Sequence, residues 1–291
     1  MKVVGLEEHV ATEDIFAAWR KHDPTMFDEP LMQWTVSGEL GSALCDVGES
    51  RLRDMDVAGV DTAVLSVTTP GLQNLPAREA VALQGPTNDM IADAVRQHPD
   101  RFQGFAALAT PSPGDAAREL ERAVVDLGFN GAMLHTLSGG EFLDESRYWE
   151  IFEVAEHHRV PLYLHPSVPA PAVADAYYRG FGTLGTGALG WHYQTGVGIM
   201  RMILSGVFDR FPDLQLIAGH WGEVVLFFLD RAALLDKNSK LELPVAEYFR
   251  RNIYVTPGGV ASQRYMGWAK EVVGADRIMH ATDYPFVKAG A

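Results

Sequence analysis

Lys2-Val3-Val4-Gly5-Leu6-Glu7-Glu8-His9 is a short apolar run that ends in two carboxylates and an imidazole. Its composition reads as a strand buried on both faces, with the polar residues at its C-terminal end. The same grammar recurs in Leu162-Tyr163-Leu164-His165-Pro166, in Leu216-Ile217-Ala218-Gly219-His220-Trp221-Gly222-Glu223 and in Ala281-Thr282-Asp283-Tyr284-Pro285. Working outward, strands are expected at Lys2–Leu6, Asp61–Val67, Phe102–Ala107, Gly131–Leu134, Pro161–Leu164, Leu214–Ala218, Asn252–Val255 and Arg277–Ala281. Helical stretches alternate with them: Glu13–Lys21, Ser50–Val57, Asn88–Gln97, Asp115–Asp126, Arg147–His157, Thr195–Ser205, Glu223–Leu235 and Ala261–Val273. In Asp115–Asp126 the apolar Ala116, Leu120, Ala123 and Val124 recur at helical spacing. Eight short strands alternating with helices predict an α/β fold, a closed (β/α)8 barrel; an open doubly wound sheet is the alternative.

Two insertions interrupt the alternation, Phe27–Gly48 after the first strand and Ser167–Gly190 after the fifth. In a barrel such loops shape the active-site mouth, so both are expected to be lids or substrate walls, or else variable loops or a subunit interface. The chain stops soon after the eighth strand, at Phe286–Ala291, where a barrel normally has a covering helix. That helix is expected either from elsewhere or from a longer natural chain.

A length of 291 residues suits one such barrel domain over 1–291. With 24 basic and 38 acidic residues the net charge is −14, which repels phosphate backbones and argues against nucleic acid as a partner. No apolar run is long enough to span a bilayer, and no secretory signal is expected. The single Cys45 fits a reducing compartment, so a cytoplasmic protein is expected.

Residues i and i+2 of a strand share a face, so Glu7 and His9 can converge on one ion, while Glu8 should face away as a structural or solvent-facing carboxylate. Carboxylate oxygen and imidazole nitrogen suit Zn²⁺, Mn²⁺ or Fe²⁺. Only the C-terminal strand ends of a barrel meet in one cavity, and there His165, His220 and Asp283 join the first pair. His220 and Glu223, three residues apart, could pair, the carboxylate orienting the imidazole. His22, His98, His157 and His158 are expected in solvent. His192 would line the mouth, and His280 would pack among helices on the opposite face from Asp283.

The chain resembles the amidohydrolase superfamily, and within it the non-oxidative aromatic acid decarboxylases acting on γ-resorcylate, 2,3-dihydroxybenzoate and 5-carboxyvanillate. The resemblance is carried by Leu6-Glu7-Glu8-His9, Arg101–Ala132, Tyr163-Leu164-His165-Pro166, Met202–Pro212, Gly219-His220-Trp221-Gly222-Glu223 and Thr282-Asp283-Tyr284-Pro285. Hydrolytic members usually carry H-x-H on the first strand and a lysine on the fourth. This chain has E-x-H, and its fourth strand ends Met133-Leu134-His135. The resemblance therefore implies one divalent metal, Zn²⁺ or Mn²⁺, held by Glu7, His9, His165 and Asp283. It also implies a hydroxylated aromatic acid as substrate and a homodimer or homotetramer. Related decarboxylases often have asparagine at His135, whose imidazole is open to three roles: ligand, substrate contact or filler. Arg231 lies in a stretch resembling one that contributes an arginine to the pocket; a surface arginine beside Asp230 is the alternative.

Loss of CO2 from an arene needs the ring carbon protonated first, and the resemblance implies Asp283 as donor. A carboxyl beside a cation has a lowered pKa, so its proton must come from the substrate hydroxyl or from water. The alternative activity is metal-dependent hydrolysis of a lactone or amide, with Asp283 as general base to a water. A barrel that kept the fold without chemistry would have no need of four polar strand ends.

Overall fold

The computed structural model describes residues 2–23, 30–237 and 239–287. Residues Phe27–Glu29 of the first expected insertion and Lys288–Ala291 at the end lie outside the described residues. The fold is the (β/α)8 barrel. Its strands are β1 (Val4–Val10), β2 (Thr62–Val67), the consecutive pieces β3 (Phe102–Gly104) and β4 (Ala106–Ala107), β5 (Ala132–His135), β6 (Leu162–His165), β7 (Leu216–Ala218) and β8 (Ile253–Val255). All these strands pair in parallel, β1-β2-β3 on one side and β4-β5-β6-β7-β8 on the other. Phe105 N donates to Leu65 O, which joins the two sets.

The expected eighth strand, Arg277–Ala281, closes the ring through isolated bridges rather than as a continuous ladder. Met279 N donates to Val255 O, and then Leu6 N donates to His280 O. Changing partner after two residues leaves each ladder too short to count as a strand.

The barrel interior is filled by Leu6, Val64, Phe105, Met133, Tyr163, Ile217 and Ala281, with Tyr254 and Met279 against them. Every barrel strand contributes to this plug, as the side-chain layering of the fold requires. Two residues further along, alternation points the next layer inward as well: Ser66, His135, His165, Gly219, Thr256 and Asp283. The functional layer therefore rests on an apolar floor.

β1 departs from the expected pattern. It runs on to Val10, so Glu7 and His9 lie within it rather than beyond it. Between Gly5 and Glu8 the register slips against β2: three steps on β1 match two on β2. Such a bulge re-aims side chains at barrel rims, and Glu7 absorbs it with φ 61°. Leu6 and Glu7 can thus both belong to the interior. Glu8 does turn away from His9, but it is not solvent-facing. It is buried, accepting hydrogen bonds from Thr282 N (3.2 Å) and Thr282 Oγ1 (2.7 Å).

Three helices differ from expectation. The helix expected at Asn88–Gln97 begins at Ala77 and runs through Pro86. Proline costs a backbone bond there, but buried Ala80, Gln84, Thr87, Asn88 and Ile91 anchor both halves. The helix after the second insertion, α1 (Gly190–Leu204), starts five residues early, which places His192 on it. Helix α2 (Val225–Ala232) starts late, because residues 220–224 have left-handed φ angles that cannot continue into a right-handed helix. No helix among the described residues is long and apolar enough to cross a membrane.

Burial drives the Glu8 carboxyl up to about 7, against the Thr282 hydrogen bonds and the Arg51 charge. The folded state then holds a proton that the unfolded chain releases near 4.5. In the metal-free protein this group's contribution to stability is present below pH 4.5 and fades as pH rises towards 7, by about 3 kcal/mol. Urea denaturation across that window should show the slope in wild type and lose it in Glu8→Gln; equal slopes would remove Glu8 as its cause.

Candidate metal centre

The ligand atoms of Glu7, His9, His165 and Asp283 all lie within 4.8 Å of one another. His165 Nε2 is 3.2 Å from Glu7 Oε1, and His9 Nε2 is 3.4 Å from Asp283 Oδ1. Ligand bonds of about 2.1 Å put neighbouring ligand atoms about 3.0–3.4 Å apart, in the same range. Among the described residues, Glu7 Oε1 and both nitrogens of His9 are buried without a hydrogen-bond partner. Leaving such atoms unpaired is costly, and a cation at the centre would satisfy them. His165 Nδ1 lies 2.8 Å from the carbonyl of Pro166, so it carries the hydrogen and Nε2 keeps a lone pair for the centre. Two oxygens and two nitrogens of this kind fit one divalent metal ion.

Electrostatics favour an anionic Glu7. Burial alone would raise its carboxyl, but His220, His165 and His9 outweigh that and hold it at about 2. Tyr163, two residues before His165 on the same face, donates its hydroxyl to Glu7 Oε2 and sits 2.7 Å from Thr256 Oγ1. Sequence reasoning missed Tyr163, although its alternation with His165 was the signal. Burial pushes His9 down, which leaves its nitrogens free to coordinate.

His220 belongs to the same cavity. Its Nδ1 donates to Glu223 Oε1 (2.7 Å), the pair expected from their spacing, and its Nε2 faces Glu7 Oε1 at 3.6 Å. Burial would lower this imidazole, but Glu223 and Glu7 raise it to about 10. Glu223 and Glu7 thus favour the charged form of His220 beside the ligand cluster. Glu223, fully buried, is kept low by His220 and His192 in spite of its burial.

His135 closes another side, its ring edge-on to His165 with centroids 5.6 Å apart. Burial, then His165 and His9, hold it well below the usual imidazole range, so it is neutral; its Nε2 has no partner among the described residues. Gln73 brackets its backbone, accepting from His135 N (2.6 Å) and donating to His135 O (2.7 Å). Gly71, at φ 64°, makes room: a Cβ there would lie 2.6 Å from the His135 ring.

Glu7, His220, Glu223 and Asp283 have φ of 61°, 47°, 55° and 62°. Among the described residues only seven non-glycine positions are left-handed, so four of the sequence candidates account for most of them. Strain of this kind, about 1–3 kcal/mol each, persists where function over-determines the backbone.

Other candidates fall outside the centre. Arg231 is exposed on α2. His280 is exposed rather than packed among helices. His157 is exposed, whereas His22, His98 and His158 are half-buried instead of solvated, and His158 meets Glu121 at 2.8 Å.

The sequence profile of the amidohydrolase family matches residues 44–291. The γ-resorcylate decarboxylase of Polaromonas sp. (strain JS666) is 35% identical over 97% of this chain and 88% of its own length. The crystal structure of 5-carboxyvanillate decarboxylase from Sphingomonas paucimobilis superposes with a TM-score of 0.91 at 33% identity, covering 100% of this chain and 90% of that one. A dihydroxybenzoic acid decarboxylase from Polaromonas sp. JS666, with bound manganese and the inhibitor 2-nitroresorcinol, gives 0.88 at 33% identity over 99% and 88%.

Replacing His165 with alanine should weaken Mn²⁺ binding by at least about tenfold, since even outer partners of a ligand are worth 10–100-fold. Titration followed by electron paramagnetic resonance measures this, and an unchanged affinity would exclude His165 as a ligand.

Proposed function

This chain belongs to the amidohydrolase family, and we propose that within it the protein is a metal-dependent, non-oxidative decarboxylase of a hydroxylated aromatic carboxylic acid. The observation that carries this reading is the cluster of Glu7, His9, His165 and Asp283, with His220 and a neutral His135 beside it. We assign those four as the ligands of one Mn²⁺ or Zn²⁺ ion. When bound, the ion supplies Lewis-acid polarisation and a fixed point for the substrate's oxygens.

The remaining chemistry belongs to the chain. An aryl carbanion is too high in energy to form by direct loss of CO2, so the ring carbon is protonated first. Asp283 takes a proton from the substrate hydroxyl on binding and delivers it to that carbon, forming the C–H bond. The C–C bond to the carboxylate then breaks, its electron pair restores the aromatic ring, CO2 leaves, and Asp283 remains a carboxylate. His220, oriented by Glu223, holds positive charge beside the reacting acid. His135 presents Nε2 to the substrate as a neutral hydrogen-bonding group. For Arg231 the assignment to substrate rests on resemblance alone.

A hydrolase reading has less support, since E-x-H replaces H-x-H and His135 stands at the end of the fourth barrel strand in place of lysine. We further propose one barrel domain over 1–291, cytoplasmic on the evidence of its lone free Cys45. A homodimer or homotetramer is supported by exposed Phe227 and Phe228, whose rings touch at 5.0 Å beside Trp268.

CO2 release from a panel of hydroxybenzoates tests the activity. Asp283→Asn should lower kcat at least about 100-fold, the scale of a positioned general acid. No release from any acid, with turnover of lactones, would move the protein to the hydrolases. Sedimentation tests the assembly: wild type should be oligomeric and the Phe227→Glu/Phe228→Glu double variant monomeric, whereas a monomeric wild type would end that proposal.

A further inference from the structure

The buried Glu223 carboxylate has two oxygens and serves two imidazoles. Oε1 accepts from His220 Nδ1 (2.7 Å), and Oε2 lies 2.8 Å from His192 Nδ1. The other His192 nitrogen, Nε2, lies 2.7 Å from the carbonyl of Gly187. Both groups facing His192 only accept hydrogen bonds, so both contacts form together when each ring nitrogen carries a hydrogen. The His192 and His220 ring centroids are 4.6 Å apart, with Glu223 spanning them.

The backbone is arranged for this bridge. Glu223 sits in the left-handed turn 220–224, against which α1 must pack closely. One turn after His192, Gly196 allows that approach: a Cβ there would lie 2.5 Å from Glu223 O. Gly187 lies in the second insertion, so His192 links that loop to the pair beside the metal centre.

We propose that His192 is a positioning residue: it fixes the second oxygen of Glu223, which fixes His220, and it ties the orientation of His220 to the Ser167–Gly190 insertion. This deepens the decarboxylase reading and rests on it for its effect on turnover, while the bridge itself can be measured without turnover. A cation is not needed to hold the three groups, because the two short contacts to Glu223 already use both of its oxygens.

The test uses the Zn²⁺-loaded protein with ¹⁵N-labelled histidine. Wild type should show downfield Nδ1–H resonances for His192 and His220, besides that of His165, whose Nδ1 faces the Pro166 carbonyl. His192→Ala should lose the first and displace the second, and Glu223→Gln should displace both. With bound metal unchanged, His192→Ala should lower kcat about tenfold, the lower end for a group that orients another. His192→Asn, which keeps a donor near the Nδ1 position, should recover most of that loss, and His192→Ala should cost nothing further in a Glu223→Gln background. A wild-type spectrum from which His192→Ala removes no downfield resonance would overturn the bridge. So would an asparagine variant as impaired as alanine, or an equal loss in the glutamine background. The His192 and His220 resonances together in a protein that releases no CO2 would sink the decarboxylase reading and leave the bridge standing.

Discussion

A fully buried carboxylate is the constraint from which the rest of this site follows. Glu7 lies above an apolar plug, where an uncompensated charge is among the most expensive things a protein can hold. Compensation comes from all sides: the Tyr163 hydroxyl on Oε2, and His165 and His220 close to Oε1. Yet Oε1 and both nitrogens of His9 lack hydrogen bonds among the described residues. Hydrogen bonding alone does not complete the set; a divalent cation does. The apolar floor matters as much as the ligands, because low polarity beneath the ion strengthens each charge interaction above it.

The same constraint explains where backbone strain sits. Glu7 gains its inward aim through a bulge, while His220 and Glu223 lie in a turn of left-handed φ, which Asp283 also adopts. Regular alternation turns Asp283 inward from the last strand, but Glu7 joins it from the first strand only through the bulge, and His220 comes from the turn that follows β7. The folded barrel, closed through short bridges such as Leu6 with Ala281, holds those conformations in place.

Much of this was legible in the sequence. Short apolar runs ending in Glu, His or Asp are local features, and their convergence follows from barrel topology alone. The expected ligands do meet, and the His220–Glu223 pair forms as its spacing suggested. What was not legible depends on contacts distant along the chain. Alternation gives Glu8 its outward turn but cannot say that Thr282 waits there. Helix α1 begins at Gly190, so tightly on Gly185 that a Cβ would lie 2.4 Å from its carbonyl, and further along Gly196 packs on Glu223; apolar periodicity reveals neither contact, so the expected start fell at Thr195. The helix expected from Asn88 in fact begins at Ala77, because tertiary packing carries it across Pro86.

The site also does structural work at the seam of the barrel. Glu7 and His9 come from the start of the chain and Asp283 from its end, and the ladder joining these segments is thin. Three further contacts reinforce it. Glu8 binds Thr282; Arg51, buried, donates to His9 O (2.6 Å); and the Arg51 guanidinium stacks over Tyr284 at 4.7 Å. Each touches a residue adjacent to a ligand or the ligand's own backbone. An ion bridging Glu7 and Asp283 would thus close the same seam that these contacts close. Metal affinity and barrel closure are then linked, since an ion that binds only the closed ring stabilises it by its own binding free energy. Burying Glu7 gives the protein its reactive centre and leaves the first and last strands dependent on what that centre holds.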